Sequence, residues 1–224
     1  KAKKWLKIGG FVFCAAVFAW IASNLQSEAL QTLDLSVTRA LAAIRQPAVS
    51  LIMRGATALC APVTLLVICF VCMFLFRNRH YSIPVAINLM VSVSLNYTLK
   101  TTFLRQRPPI EYRAVTEVGY SFPSGHAMAA GAFYGFLIYI VARSNLSARK
   151  KRLLIGLLSL FIALVGFSRV YLGVHYLSDV IAGYAVSLAY LLVFTSLVGL
   201  YLQARKSQPT YVRGTQKDKR FADS

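Results

Sequence analysis

Between Ser168 and Asp179 the chain sets an arginine, a histidine and an aspartate (Arg169, His175 and Asp179) inside one of its most apolar regions. Charge in or beside a membrane span costs free energy, so its presence there points to function. His175 and Asp179 are four residues apart, which makes them neighbours on one face if a helix starts near here. A carboxylate that orients and charges an imidazole is the arrangement of an activated nucleophile or general base. The competing reading of this stretch is an interfacial Arg and His reaching towards water, with Asp179 as a helix cap.

Two further segments carry groups of the same kind. Lys100 and Arg107, the latter followed by Pro108, are seven residues apart, about two helical turns, so a helix continuing that far would show both on one face. Taken alone they could equally be anchors at the end of a span. The run Pro123-Ser124-Gly125-His126 opens an apolar stretch. Proline suits the first helical turn, and the free amides there, with the helix dipole, favour an anion. Ser124 can add a hydroxyl, Gly125 lets backbone approach a ligand closely, and His126 can give or take a proton.

The elements that must position these groups follow from composition. Of 224 residues, 57% are hydrophobic and only 14% charged, and several uncharged runs approach the ~20 residues that span a bilayer. Long runs without two-residue alternation argue against a β-barrel. The expected fold is all-α, a polytopic bundle of six transmembrane helices with a short amphipathic surface helix after the first. The spans fall at 8–25 (an uncleaved first span behind a lysine-rich start), within 55–76, within 81–99, at 123–142, at 153–167 and at 180–204. The spacing of Leu30, Leu33, Leu35, Val37, Leu41 and Ile44 assigns the amphipathic helix to 26–47. Residues 1–204 are read as one catalytic transmembrane domain, and 205–224 as a basic polar tail.

The net charge of +18 comes from 25 Lys and Arg against 7 Asp and Glu. These cations lie between apolar spans rather than on a folded polar face, which excludes a nucleic-acid partner and makes the lipid bilayer the partner. Six spans put both termini on one side, and that side carries most of the cations. By the positive-inside rule it is cytoplasmic, in a cell (cytoplasmic) membrane, with the site on the outer face. Arg54, at the edge of the second span, is read as an interfacial anchor. Cys14, Cys60, Cys69 and Cys72 all sit in apolar runs and are packing residues. There is no cluster of acidic residues to hold magnesium, so no metal and no cofactor are expected, and cationic side chains must neutralise developing charge.

With the three segments on one face, three cations, an anion-binding helix start and two histidines specify a phosphate site. The motifs K-x6-R-P at Lys100–Pro108, P-S-G-H at 123–126 and S-R-x5-H-x3-D at 168–179 resemble those of the type-2 phosphatidic acid phosphatase superfamily. They are most similar to those of its small bacterial integral-membrane members, which act on phosphatidylglycerol phosphate or undecaprenyl pyrophosphate. The resemblance implies a metal-independent phosphatase of a membrane lipid phosphate or pyrophosphate. By it His175 attacks phosphorus to form a phosphohistidine, Asp179 orients that imidazole, and His126 protonates the leaving oxygen and then helps activate water. Lys100, Arg107 and Arg169 clamp the phosphate oxygens, with Ser124 and the Gly125 amide completing the cradle. Glu111, Arg113, Glu117 and Tyr120 in loop 109–122 are candidates for head-group contacts. Asp179→Asn is expected to lower turnover while leaving the fold intact. Two other readings stay open: a phosphotransferase to a lipid or sugar acceptor, and a lipid-phosphate binder or transporter without catalysis.

Overall fold

In hydrocarbon every peptide group must find its hydrogen bonds within its own segment or a closed sheet, and long uncharged runs solve this as helices. The computed structural model describes residues 2–76 and 80–207, and among them every regular element is helical. The elements are α1 (Ala2–Ser23), α2 (Glu28–Ala43), α3 (Pro47–Ala58), α4 (Pro62–Leu75), α5 (Ser82–Phe103), α6 (Gly125–Arg143, with a π-helical turn at Ala130–Tyr134), α7 (Ala148–Tyr171) and α8 (Leu177–Ser207). Five of these helices are long and apolar enough to cross a membrane, and the bent pair α3 and α4 makes a sixth if it is counted as one span. Arg77 and Arg79 of the short basic turn, and the tail beyond Ser207, lie outside the described residues.

The single second span expected within 55–76 is two helices meeting at 50°. Pro62 stands at the start of α4 and has no amide to continue the ladder of α3, so the helix breaks there. The Tyr134 hydroxyl donates to the Leu59 carbonyl at 2.9 Å, satisfying one acceptor that the break releases. Other spans run longer than expected: α5 reaches Phe103, and α7 begins at Ala148 and continues through Arg169 to Tyr171.

The core lies among α4, α5, α6, α7 and α8, where Val85, Phe133, Phe136 and Val165 are buried. Helix α1 packs along α8. Around this core Trp5, Phe13, Trp20, Phe70, Phe74 and Leu160 are exposed, a belt suited to contact with lipid tails.

Helix α2 forms where its periodicity placed it, N-capped by Ser27, whose hydroxyl accepts from the Leu30 amide. Leu33 and Ile44 are exposed, but the opposite stripe is buried against α7 and α8 and carries Leu30, Asp34 and Thr38. This surface helix therefore delivers a fully buried carboxylate to the site end of the bundle.

Candidate active site

Helix α7 ends at Tyr171, and His175 lies in the short turn before α8 rather than on a helix. Gly173 makes this turn possible, with φ +70°, and any Cβ there would run into the Tyr112 carbonyl. Arg45 holds the turn from outside: Nε donates to the Tyr171 carbonyl at 3.0 Å and Nη2 to the Tyr112 carbonyl at 2.9 Å. The expected shared helical face of His175 and Asp179 is thus replaced by a capping arrangement. Asp179 stands in the first turn of α8 and its Oδ2 accepts from the Tyr176 amide at 2.9 Å, as the acidic residue of a capping box does.

That carboxylate also governs the histidine. His175 Nδ1 lies 3.4 Å from Asp179 Oδ2 and 3.3 Å from Ser121 Oγ, and Ser121 donates to Asp179 Oδ2 at 2.5 Å. The one hydroxyl proton of Ser121 is spent on the carboxylate, so its oxygen is left to accept from Nδ1–H. On the far side of the ring Arg107 Nη1 lies 3.2 Å from Nε2. A guanidinium only donates, which leaves Nε2 with a lone pair and Nδ1 with the proton. Burial, opposed by Asp179, pushes the His175 pKa down to about 3, so at neutral pH the ring is uncharged.

Behind Asp179 stands a network absent from the sequence motifs. Arg105 Nη1 donates to Asp179 Oδ1 at 2.6 Å and to Ser178 Oγ at 2.8 Å, while Nη2 donates to Asp34 Oδ2 at 2.8 Å. Asp34 in turn accepts from the Ser178 amide at 3.0 Å and from the Ser178 hydroxyl. Both carboxylates are fully buried, and the Arg105 guanidinium lies over the Tyr176 ring at 4.3 Å. Burial works against the charge on Arg105, but Asp179 and Asp34 outweigh it and raise its pKa. A buried cation shared by two carboxylates fixes each of them by charge-assisted hydrogen bonds.

The three expected phosphate-binding cations converge, though not along one helix. Helix α5 ends before Leu104, whose φ of +50° turns the chain, so Lys100 sits in the last turn and Arg107 in the loop. Lys100 Nζ donates to the Tyr120 carbonyl, with the Ser121 carbonyl at 3.5 Å. Arg107 ties the two loops together, donating to the carbonyls of Val174 at 2.8 Å, Gly119 at 3.0 Å and Val118 at 3.0 Å. Arg169, 2% exposed in the last turn of α7, donates from Nη2 to Glu117 Oε1, and its buried Nε has no partner among the described residues. Glu117 Oε2 also faces Arg107 Nη2 at 3.9 Å. Burial would raise the Glu117 pKa, but Arg169, His126 and Arg107 hold it below the ordinary carboxylate value.

The Pro-Ser-Gly-His segment is an N-terminus as expected, with Pro123 just ahead of the N-cap rather than in the first turn. Ser124 is the N-cap: its buried hydroxyl accepts from the Ala127 amide at 3.5 Å, and its own amide donates to the Asp179 carbonyl at 3.1 Å. Gly125 is required by close packing, since a Cβ there would come 2.9 Å from Asn96 Oδ1. Asn96 donates to the Pro123 carbonyl at 3.3 Å, and Phe122 is clamped by the rings of Phe18 and Phe103 at 5.7 and 5.1 Å. His126 stands within electrostatic reach of Arg169, Glu117, Arg107 and Lys100. It also lines a largely apolar cleft of about 300 Å³ with Leu66, Leu89, Val93 and Asn96, between α4 and α5.

Sequence reasoning left out Asp34, Arg105, Ser121 and Ser178. Asp34 had a signal: it continues the Leu30 face of α2 at i, i+4, a charge set on an apolar stripe. Arg105 lay inside the first motif between its two specified positions and had none. Arg54 is not simply an interfacial anchor, because Nη2 donates to the Ala114 carbonyl at 2.6 Å and braces the loop over the site.

The family model described as the PAP2 superfamily matches residues 81–201, which contain all three motifs. Phosphatidylglycerophosphatase B of Bacillus subtilis is 35% identical over 175 residues, covering 76% of this chain and 86% of the relative. An undecaprenyl-diphosphatase of Sulfolobus acidocaldarius is 30% identical over 128 residues, 55% of each chain. The crystal structure of a transmembrane PAP2-type phosphatidylglycerolphosphate phosphatase from Bacillus subtilis superposes with a TM-score of 0.75 at 30% identity, over 91% of this chain and 98% of that one.

Proposed function

The chain belongs to the PAP2 superfamily, and on that premise we propose that it hydrolyses a membrane lipid phosphate or pyrophosphate through a phosphohistidine. Phosphatidylglycerol phosphate, phosphatidic acid and undecaprenyl pyrophosphate are the substrate candidates. The observation that carries the reading is the His175 ring, tethered at Nδ1 by Ser121 and Asp179 and turned at Nε2 towards the cations.

In the first step the Nε2 lone pair attacks phosphorus as the bond to the leaving oxygen breaks, and His126 gives that oxygen a proton. Arg169 and Lys100 take up charge on the phosphoryl oxygens, and Arg107 transfers its Nη1 donor from the ring to the phosphate. Asp179 stabilises the imidazolium character that develops. In the second step water attacks the phosphohistidine, His126 takes the water's proton, the P–N bond breaks and inorganic phosphate leaves. The cleft beside His126 suits the first stretch of an acyl or prenyl tail, which favours a lipid over a soluble ester.

The site belongs on the outer face, with both termini cytoplasmic. Lys4, Lys7, Arg143 and the run Arg149–Arg152 lie at the end of the bundle away from the site, the end that the positive-inside rule assigns to the cytoplasm. The decisive experiment is turnover of a panel of diacyl and polyprenyl phosphates by detergent-purified protein in EDTA, with phosphorylated His175 sought after rapid quenching in a His126→Gln variant. Full activity in His175→Gln refutes the mechanism. Transfer of the phosphoryl group to an added alcohol in preference to water makes the enzyme a transferase.

A further inference from the structure

Glu117 is a carboxylate set against two of the phosphate-facing cations, and neither catalytic step has a use for it. Its Oε1 accepts from Arg169 Nη2, and its Oε2 faces Arg107 Nη2 at 3.9 Å. These are two of the three cations that the hydrolytic reading assigns to the substrate's phosphate. Arg169 is 2% exposed, and a guanidinium in that setting needs a counter-charge whenever phosphate is absent. Glu117 supplies it from a loop: its side chain is 28% exposed, and among the described residues its carboxylate pairs only with the two arginines. The neighbouring Val118 and Gly119 carbonyls are held by Arg107, so the backbone stays in place while the side chain can swing. Meanwhile Arg169 Nε, buried and without a partner, is one donor that the carboxylate does not reach.

We propose that Glu117 is the resident counter-ion of the phosphate clamp, a built-in competitor that leaves Arg169 when phosphate enters and returns to help expel it. The proposal rests on the phosphatase reading for its purpose, because a clamp of three cations without a competitor would hold inorganic phosphate and be slow to release it. Substrate and product phosphate face the same competitor, so its removal tightens both.

Calorimetric titration of detergent-purified protein with inorganic phosphate tests this without turnover. Glu117→Gln should bind phosphate about 10- to 100-fold tighter than the parent, the worth of one charge-assisted hydrogen bond no longer contested. In lipid phosphate hydrolysis the same variant should show a lower KM, stronger inhibition by added phosphate and a reduced kcat. A merely structural Glu117 would instead loosen Arg169 and weaken phosphate binding. Equal or weaker phosphate affinity in a Glu117→Gln protein that melts like the parent overturns the proposal.

Should Glu117→Gln fail to fold, Glu117→Asp keeps the charge but draws it back by one methylene. That variant should still bind phosphate several-fold tighter, and affinity no better than the parent's overturns the proposal equally. Tighter phosphate binding with no turnover of any lipid phosphate in parent or variant would refute the phosphatase reading and leave the counter-ion role standing. Normal turnover with unchanged phosphate affinity would do the reverse.

Discussion

Replacing Asp34 by asparagine removes one negative charge from a place that no water reaches. The carboxylate accepts from Arg105 Nη2 at 2.8 Å, from the Ser178 amide at 3.0 Å and from the Ser178 hydroxyl. Asparagine has a single acceptor oxygen. If it faces Ser178 N–H, the amide NH2 meets Arg105, donor against donor; if it faces Arg105, the Ser178 amide at the start of α8 is orphaned. Either way a charge-assisted bond worth about 1.5–3 kcal/mol is lost and a buried donor is left unpaired. Breaking a buried ion pair from one side costs about 3–5 kcal/mol. Arg105 keeps Asp179 at 2.6 Å, which puts this case at the lower end, about 3 kcal/mol.

For a chain of this length about 3 kcal/mol corresponds to a fall in melting temperature of roughly 6–12 °C. The four buried free cysteines make a thiol-reactive dye a suitable reporter of unfolding in detergent, read at several scan rates. Kinetically, Arg105 freed from Asp34 lets Asp179 drift from His175, so kcat should fall roughly tenfold at nearly constant KM, since Asp34 touches none of the phosphate-facing groups. A variant melting within about 1 °C of the parent with unaltered kcat would refute the argument that Asp34 supports the site through Arg105.

Two other outcomes follow from the same geometry. Asp179→Asn should lower kcat by roughly 10²–10⁴-fold, as loss of an imidazole-orienting carboxylate does elsewhere. It should also lower the melting temperature, contrary to the expectation from sequence, because Asp179 receives Arg105, Ser121 and the Tyr176 amide and so caps α8 as well as serving His175. The second outcome concerns acid. His175 has a folded pKa of about 3 against an ordinary 6.5, so between these values the unfolded chain binds a proton that the native chain does not. Stability from this group is therefore full above about pH 6.5 and declines as pH falls towards 3, by at most about 1.4 kcal/mol per unit. His175→Gln should flatten that part of the stability–pH curve; an unchanged slope would show that other groups set it.

Much was legible in the chain before any coordinates. Uncharged runs dictate helices because hydrocarbon leaves a backbone no other partner, and the three motifs name their residues by type and order. Local rules failed where the backbone stops being periodic. Helical spacing pairs Lys100 with Arg107 and His175 with Asp179, yet a left-handed Leu104 ends the helix between the first two, and a left-handed Gly173 lies in the turn that leaves His175 ahead of α8. The second span broke because Pro62 cannot continue the ladder, a signal present in the sequence but outweighed by uniform hydropathy.

What the sequence determined by itself is the material: an all-helical membrane chain, and a set of cations, histidines and one carboxylate whose chemistry suits phosphate. Only the tertiary structure decided how His175 is aimed. Its tautomer depends on Ser121 and Arg107, its partner Asp179 on Arg105, and Arg105 on Asp34, distant in sequence on a different helix. Hydrogen bonds act over about 3 Å, and no spacing along a chain can say which far-off donor will be within that distance once the helices pack. The direction of the His175 ring is therefore a property of the packed bundle.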